Sequence, residues 1–304
     1  MEKIGIVQTK HRKTGRLLSK RTGGERAVFT VVFVLFLLYS VSLILPFLWM
    51  IMNSFKAHTE FVMDQAAGKT LGFPDVWRLV NYINAFKQIN YIGITFPVML
   101  LNSCYYVFIG GGISVFFQAV TGYVISKYKF KAGPVIYAIA IFCMTLPIIG
   151  NMAAEMKVRA QLGLLDNLAA VIFTSMSSFG YNFLMMHAFF KTISWDYAEA
   201  VFIDGGGHFT VFFRIMLPMA MPLMTTLFIL SAIGIWNDYQ TPMLYFPSSP
   251  GVATGMQLAA FEMLRKAKTV YYAALVISCL PVLILFAAFA DTIMKNYTIG
   301  GLKG

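Results

Sequence analysis

Long apolar stretches without a single charge, separated by short charged segments, form the dominant pattern of this chain. A helix that crosses the ~30 Å hydrocarbon core of a bilayer needs ~20 such residues. Six stretches are long enough, and they cover residues 27–52, 96–122, 132–154, 167–190, 215–237 and 269–290. The pattern therefore predicts an all-α, polytopic membrane protein with six transmembrane helices.

A seventh uncharged stretch, residues 239–261, has a different composition. Pro242, Pro247 and Pro250 interrupt it, with serines and a glycine around them. Each proline removes a backbone N–H, and lipid offers no replacement partner for the carbonyl that loses its bond. We predict a loop here, with a short amphipathic segment near residues 256–264.

Composition and charge support the membrane assignment. Hydrophobic residues make up 58% of the chain and charged residues 12%, whereas a soluble domain is about a quarter charged. The chain is thus too apolar for a disordered protein or a soluble enzyme. The net charge of +11 suggests cytoplasmic Lys and Arg beside the spans rather than a nucleic-acid partner.

The same rule on positive charge gives a topology with both termini in the cytoplasm. The predicted parts are a basic N-terminal segment (residues 1–26), a six-helix membrane domain surrounded by lipid (residues 27–294) and a C-terminal tail (residues 295–304).

No catalytic or metal-binding pattern is found in the sequence. It contains no P-loop, no His-Glu-x-x-His zinc motif and no Gly-x-Ser-x-Gly elbow. The four histidines are scattered, and the three cysteines lie in apolar stretches without metal-ligand spacing. We therefore expect a non-catalytic chain with no catalytic residues, no metal ion and no cofactor of its own.

The predicted cytoplasmic loop at residues 191–214 is short of positive charge and rich in acids and glycines. Ser194 can cap a short helix, and Asp196 favours the positive end of its dipole. Gly205 and the two glycines after it end the helix, and a second helix begins near His208.

A short helix outside the bilayer can present a surface to a partner. Ala198 and Ala200 are small enough for a close approach, and Glu199 offers an anionic contact. The residues alone leave a second interpretation open, namely a turn that binds nothing.

This loop resembles the "EAA" loop of ABC-importer permeases, in which Glu-Ala-Ala is followed by a glycine and then by Ile-x-Leu-Pro. The matching residues are Glu199-Ala200, Gly205 and Ile215-Met216-Leu217-Pro218. Asp204, directly before the glycine, is typical of the carbohydrate branch. Val201 replaces the third alanine.

Three further segments resemble the carbohydrate branch, of the maltose-permease type. They are Asn53-Ser54-Phe55-Lys56 with Glu60, the element Trp236-Asn237-Asp238-Tyr239, and the tail Gly300-Gly301-Leu302-Lys303-Gly304. The matches follow one another in order along the chain from residue 28 onward.

The resemblance implies the type I ABC-importer permease fold in the bacterial plasma (inner) membrane. It also implies a heterodimer with a second, homologous permease subunit, two ABC ATPase subunits that carry ATP and Mg²⁺, and an extracellular solute-binding protein that delivers a carbohydrate, expected to be an oligosaccharide. The ATPase-coupling residues would be Ala198, Glu199, Ala200, Asp204 and Gly205. The tail residues Gly301, Lys303 and Gly304 would also reach toward the ATPases.

Polar residues within the spans are candidates for the substrate path, because such residues usually face the interior of a helix bundle. They are Asn102, Gln118, Asn151, Asn182, Trp236, Asn237 and Asp238. Hydrogen bonding between helices is the alternative role of such residues.

Other functions remain as alternatives at this point. One is an ABC permease for a non-sugar solute such as a peptide, and another is a secondary transporter. The second is disfavoured because no charged residue lies well inside a predicted span.

Overall fold

A computed structural model describes residues 23–69, 71–145, 152–177 and 179–297 of the chain, and almost all of them are helical or lie in short connections. The α-helices are α1 (Gly23–Ser54), α2 (His58–Ala66), α3 (Val80–Gln88), α4 (Phe96–Tyr105), α5 (Gly112–Lys127), α6 (Gly133–Thr145), α7 (Met152–Gln161), α8 (Ala170–Ser175), α9 (Tyr181–Thr192), α10 (Asp196–Ile203), α11 (His208–Thr210), α12 (Leu217–Asn237), α13 (Gln240–Tyr245), α14 (Val252–Lys266) and α15 (Lys268–Tyr297). An antiparallel pair of two-residue strands, β1 (Asn90–Tyr91) and β2 (Ile94–Thr95), precedes α4.

Four helices in the described residues are long and apolar enough to cross a membrane. They cover Gly24–Ser54, Phe96–Lys127, His208–Asn237 and Lys268–Asp291. Two of them contain a π-helical turn, at Tyr106–Gly111 between α4 and α5 and at Val211–Met216 between α11 and α12. The second turn lies directly before Pro218, which has no N–H for the regular α pattern.

The six-helix count is not confirmed, because the described residues contain four helices of spanning length. In the third predicted span, α6 ends at Thr145 after 13 residues, and residues 146–151 lie outside the described part. The prediction of one continuous helix over residues 167–190 is wrong, since the chain leaves the helix after Ser175 and resumes at Tyr181. Gly180, directly before α9, has φ +151°, a backbone conformation that favours glycine.

The predicted loop at residues 239–261 contains more helix than expected. Pro242 lies in the first turn of α13, where a missing N–H costs nothing. Asp238 Oδ1 accepts the N–H groups of Gln240 and Thr241, both at 2.9 Å, and starts that helix. The amphipathic segment is the whole of α14, whose buried face includes Val252, Met256, Ala259 and Met263.

The chain divides into two units, one up to Trp49 and one from Met50 onward. In the second unit, one apolar cluster contains Phe96, Trp236 and Val270, and we call the region around it the Phe96 end. Another cluster joins α5, α9, α10 and the start of the His208–Asn237 helix, and we call the region around it the Lys127 end. The two ends correspond to opposite ends of the Phe96–Lys127 and His208–Asn237 helices.

The segment after α1 is held by polar contacts at the Phe96 end. The Lys56 side chain is fully buried and forms an ion pair with Asp64 at 2.6 Å. Asn81 Nδ2 donates to the backbone oxygens of Ser54 and Lys56, at 2.7 and 2.8 Å. Glu60 accepts the N–H groups of Ala57 and Asp75. These polar contacts thus fix the chain directly after α1.

A close crossing of α5 and α9 organises the Lys127 end. A Cβ atom on Gly122 would lie 2.9 Å from both the backbone nitrogen of His187 and the Cβ of Met186. Only glycine allows the two helices this separation. The next residue, Tyr123, is buried between the rings of Phe190 and Phe212.

We predict that Gly122→Ala lowers the stability of the protein. Its methyl group meets backbone atoms that cannot rotate away, and overpacking of this kind costs about 1–3 kcal/mol. The matched control is Gly112→Ala in the same helix, where a Cβ would meet nothing within 4 Å. Thermal unfolding in mild detergent should show a lower midpoint for Gly122→Ala alone, and equal midpoints for both variants would contradict the close crossing.

Candidate functional site

The short helix α10 carries the candidate coupling residues outside the long helices. It begins after Trp195, and Ser194 Oγ accepts the N–H of Asp196 at 3.2 Å. Asp196 and Glu199 lie in the first turn, where carboxylates interact favourably with the helix dipole.

Three glycines follow α10, and the first two end it with two reverse hydrogen bonds. The N–H of Gly206 donates to the oxygen of Val201 at 2.8 Å, and the N–H of Gly205 donates to Phe202 at 3.0 Å. Gly205 has φ +80°. These are the bonds and the backbone conformation of a Schellman motif. The chain therefore turns sharply after Asp204, as the sequence predicts.

The inner face of α10 packs against the chain's own helices. Ala198 is completely buried in the cluster that contains Ala119, Tyr123 and Val211. Its small side chain lets α10 lie close to these membrane helices. The small side chain of Ala198 therefore permits a close contact within this chain, where the sequence suggested a contact with a partner.

Aromatic and polar contacts tie both ends of the loop to the end of α5. The Tyr128 hydroxyl hydrogen-bonds with His208 Nδ1 at 2.9 Å, and its ring lies 5.7 Å from that of Trp195. The Lys127 ammonium donates to the backbone oxygen of Ile193. The Phe202 ring meets His208 at 4.9 Å. The loop is therefore in direct contact with α5 and with the start of the His208–Asn237 helix.

The outer face of the loop is exposed and partly apolar. Ile203 is 86% exposed and Phe209 is 82% exposed. Glu199 lies one helical turn before Ile203, so both are on the same side of α10, and Ala200 is exposed as well. Glu199, Ala200 and Ile203 therefore make up the outer face of α10, and Phe209 is exposed just after the glycines.

A cleft of about 190 Å³ lies nearer the Phe96 end, between α8, α12, α13 and the π-helical turn at Tyr106–Gly111. One predicted substrate-path residue, Asp238, lines it. The lining also carries hydroxyl groups, from Tyr106, Ser114, Thr174, Ser175 and Thr241. Gly110 brings the π-helical turn close to α8, because a Cβ there would lie 3.2 Å from Ser175 Oγ.

Most of the other substrate-path candidates hydrogen-bond within the chain. Asn102 donates to Pro250 O, Asn182 to Ser231 Oγ and Trp236 Nε1 to Ser278 O, each at 3.0 Å, and Asn237 donates to Ile233 O at 2.8 Å. Gln118 is different, because it is 7% exposed and its Oε1 has no partner among the described residues. Asn151 and the tail residues Gly301, Lys303 and Gly304 lie outside the described residues.

Comparison with known families gives a direct match. The pattern of the family described as "Binding-protein-dependent transport system inner membrane component" matches residues 118–298, more than half of the chain. This chain belongs to that family. The matched region contains α10, the Schellman turn and the contacts that tie the loop to α5.

Relatives of this inner membrane component cover nearly its whole length. The diacetylchitobiose uptake system permease protein NgcG of Streptomyces coelicolor is 27% identical and covers 95% of this chain and 93% of its own. The melibiose/raffinose/stachyose import permease protein MelC of Bacillus subtilis is 25% identical, with coverage of 86% and 91%.

A solved structure shows the same fold. It is a chain of a bacterial ABC transporter involved in the import of the acidic polysaccharide alginate, with a TM-score of 0.72 and 21% identity. The match covers 89% of this chain and 98% of that one.

Sequence reasoning identified α10 in this inner membrane component but missed residues that hold and complete it. Tyr128 and His208 are 80 residues apart, and no pattern in the sequence links them. Ile203 and Phe209 did carry a signal, since two large apolar residues flank the glycines in a segment outside the spans.

We predict that Gly205→Ala loosens the end of α10. An alanine in the left-handed conformation costs about 1–2 kcal/mol, so the two reverse hydrogen bonds should open more often. Gly207→Ala is the control, because Gly207 has φ −102° and open space around it. Hydrogen–deuterium exchange at residues 201–206 should speed up only in Gly205→Ala, and unchanged exchange would count against the strained turn.

Proposed function

We propose that this chain is one permease subunit of an ATP-driven, binding-protein-dependent importer of carbohydrates, in which it forms half of the translocation path. It would pair with a second, homologous permease, and two ABC ATPase subunits carrying ATP and Mg²⁺ would bind from the cytoplasm. An extracellular solute-binding protein would deliver the sugar. The chain itself would contribute no catalytic residue.

The observation that carries this proposal is the two-sided character of α10. Its inner face is buried against the membrane helices through Ala198, while Glu199, Ala200 and Ile203 are left uncovered. Such a helix can transmit the movement of an attached partner. The partner would be the ATPase, because this family works in transport and no P-loop is present in the sequence.

The proposed orientation places the Lys127 end in the cytoplasm. Lys127, Lys129 and Lys131 follow one another at that end, and positive charge accumulates on the cytoplasmic side of membrane proteins. Both termini would then be cytoplasmic, and the Phe96 end, with α13 and α14, would face the binding protein.

The contacts of the loop suggest how ATP binding would reach the membrane helices. Movement of α10 would pull on Tyr128 and His208 and shift α5 relative to the His208–Asn237 helix. Packed helices respond to such a pull by switching between discrete arrangements. Inward-open and outward-open states would be the two arrangements, and the ATPase and the binding protein would favour the second.

A carbohydrate is the substrate class that the relatives favour, since their names include diacetylchitobiose and melibiose/raffinose/stachyose. The hydroxyl-lined cleft and the unpartnered Gln118 Oε1 can form hydrogen bonds of the kind that sugar hydroxyls require. We place the sugar contacts at Asp238 and Gln118 first. An oligosaccharide is the expected size class.

The test compares two substitutions of highly exposed apolar residues at opposite ends of the molecule. Ile203→Ser removes apolar contact area from the proposed ATPase surface, and Phe261→Ser does the same on α14, where Phe261 is 76% exposed. Loss of a buried isoleucine contact costs roughly 2 kcal/mol, or about thirtyfold in affinity. Ile203→Ser should therefore release the ATPase during purification in mild detergent and abolish uptake of labelled oligosaccharide.

Phe261→Ser should keep the ATPase bound. The proposal fails if no ATPase accompanies the wild-type protein, or if both variants retain it equally while both remain in the membrane.

A further inference from the structure

A large basic pocket lies at the Lys127 end. Its volume is about 610 Å³, and residues from α5, α6, α9 and the segment between α5 and α6 line it. Lys129, Lys131 and Lys191 supply the charge. Tyr137 and His187 stack at 4.4 Å between ring centroids on the side of the membrane helices.

The three lysines have no counter-charge in the pocket. No aspartate or glutamate lines it, and the ion pairs of the described residues involve other lysines and arginines. All three side chains are exposed. Three like charges around one concave surface favour an anion.

An apolar furrow continues from this pocket along α6. It is shallow and open, shares Pro134 with the basic pocket and is otherwise lined by Val135, Ala138, Ile139 and Phe142. Those residues recur every three to four positions, so the furrow follows one side of the helix. Phe142 lies about two turns beyond Pro134, roughly 12 Å along the helix axis.

We propose that the basic pocket and the furrow together bind one anionic phospholipid, such as phosphatidylglycerol, with the phosphate among Lys129, Lys131 and Lys191 and an acyl chain along α6. The order of the two surfaces matches that of a lipid, with charge at the end of the long helices and apolar surface toward their middle. Basic pockets between membrane helices on the cytoplasmic side favour such headgroups.

The location suggests a consequence for the proposed function. The pocket includes Tyr128, which hydrogen-bonds to His208 at the end of the coupling loop. A bound lipid would hold α6 and α9 against the end of α5 and stabilise one arrangement of the loop. This consequence depends on the cytoplasmic orientation proposed above, whereas the binding itself does not depend on ATPase or sugar.

The experiment measures lipid binding directly by native mass spectrometry. The protein is purified in mild detergent with whatever subunits accompany it and is titrated with phosphatidylglycerol or with phosphatidylcholine of the same acyl chains. Wild type should bind phosphatidylglycerol at least tenfold more tightly. Each lysine should contribute about fivefold, the equivalent of about 1 kcal/mol, so K129Q/K131Q/K191Q should lose the preference.

Three comparison variants separate charge, position and shape. K69Q/K87Q/K157Q removes the same charge from exposed lysines elsewhere and should keep the preference. K129R/K131R/K191R retains the positive charges and should also keep it. Ala138→Trp fills the furrow without changing charge and should weaken binding several-fold, whereas Ala154→Trp on exposed α7 should not.

Several results would overturn the proposal. Equal affinity of wild type for the two lipids would do so, as would equal losses in K129Q/K131Q/K191Q and K69Q/K87Q/K157Q. Displacement of the lipid by millimolar inorganic phosphate, with Ala138→Trp unaffected, would assign the pocket to a soluble anion. Absence of bound phosphatidylglycerol from an assembled complex that contains a second permease subunit would also overturn the proposal.

Discussion

The close crossing of α5 and α9 at Gly122 is the contact on which the Lys127 end depends. It brings Met186 and His187 against the glycine and thereby places Ile193, the residue that follows α9, within reach of Lys127. The loop that contains α10 starts from there and packs into the same cluster through Ala198. The absence of one side chain in α5 therefore determines where a surface helix lies about 70 residues later.

The long helices could be predicted from the sequence because a bilayer imposes a simple rule. A charge-free run of the right length must satisfy its own backbone hydrogen bonds, and a helix does so. The break between Ser175 and Tyr181 was not predictable in this way. A hydropathy profile contains no information on the backbone conformation of Gly180. Backbone N–H and C=O groups that leave the helix at such a break need hydrogen-bond partners elsewhere in the protein. The helix α14 was underestimated because prolines before it concealed the start of its amphipathic pattern.

The candidate site was predictable only where its chemistry is local. Gly205 and Gly206 end α10 through bonds to Phe202 and Val201, three and five positions earlier, so the sequence around them contains the information. Tyr128 and His208 meet only after the long helices have packed. The polar residues of the spans illustrate the same limit. Asn102, Asn182 and Trp236 were expected as substrate contacts, and their internal partners, Pro250, Ser231 and Ser278, became visible only in the folded chain.

The central claim is that the outer face of the loop is the surface that an ATPase binds. Site-specific photo-crosslinking in intact membranes tests it most directly, with a photoreactive amino acid placed at Ile203, at Phe209 or, for comparison, at the exposed Tyr239 of the Phe96 end. We predict that positions 203 and 209 crosslink to a P-loop ATPase and that position 239 does not. If positions 203 and 209 gave no ATPase adduct while position 239 did, the assignment of the loop and the orientation of the chain would both be contradicted.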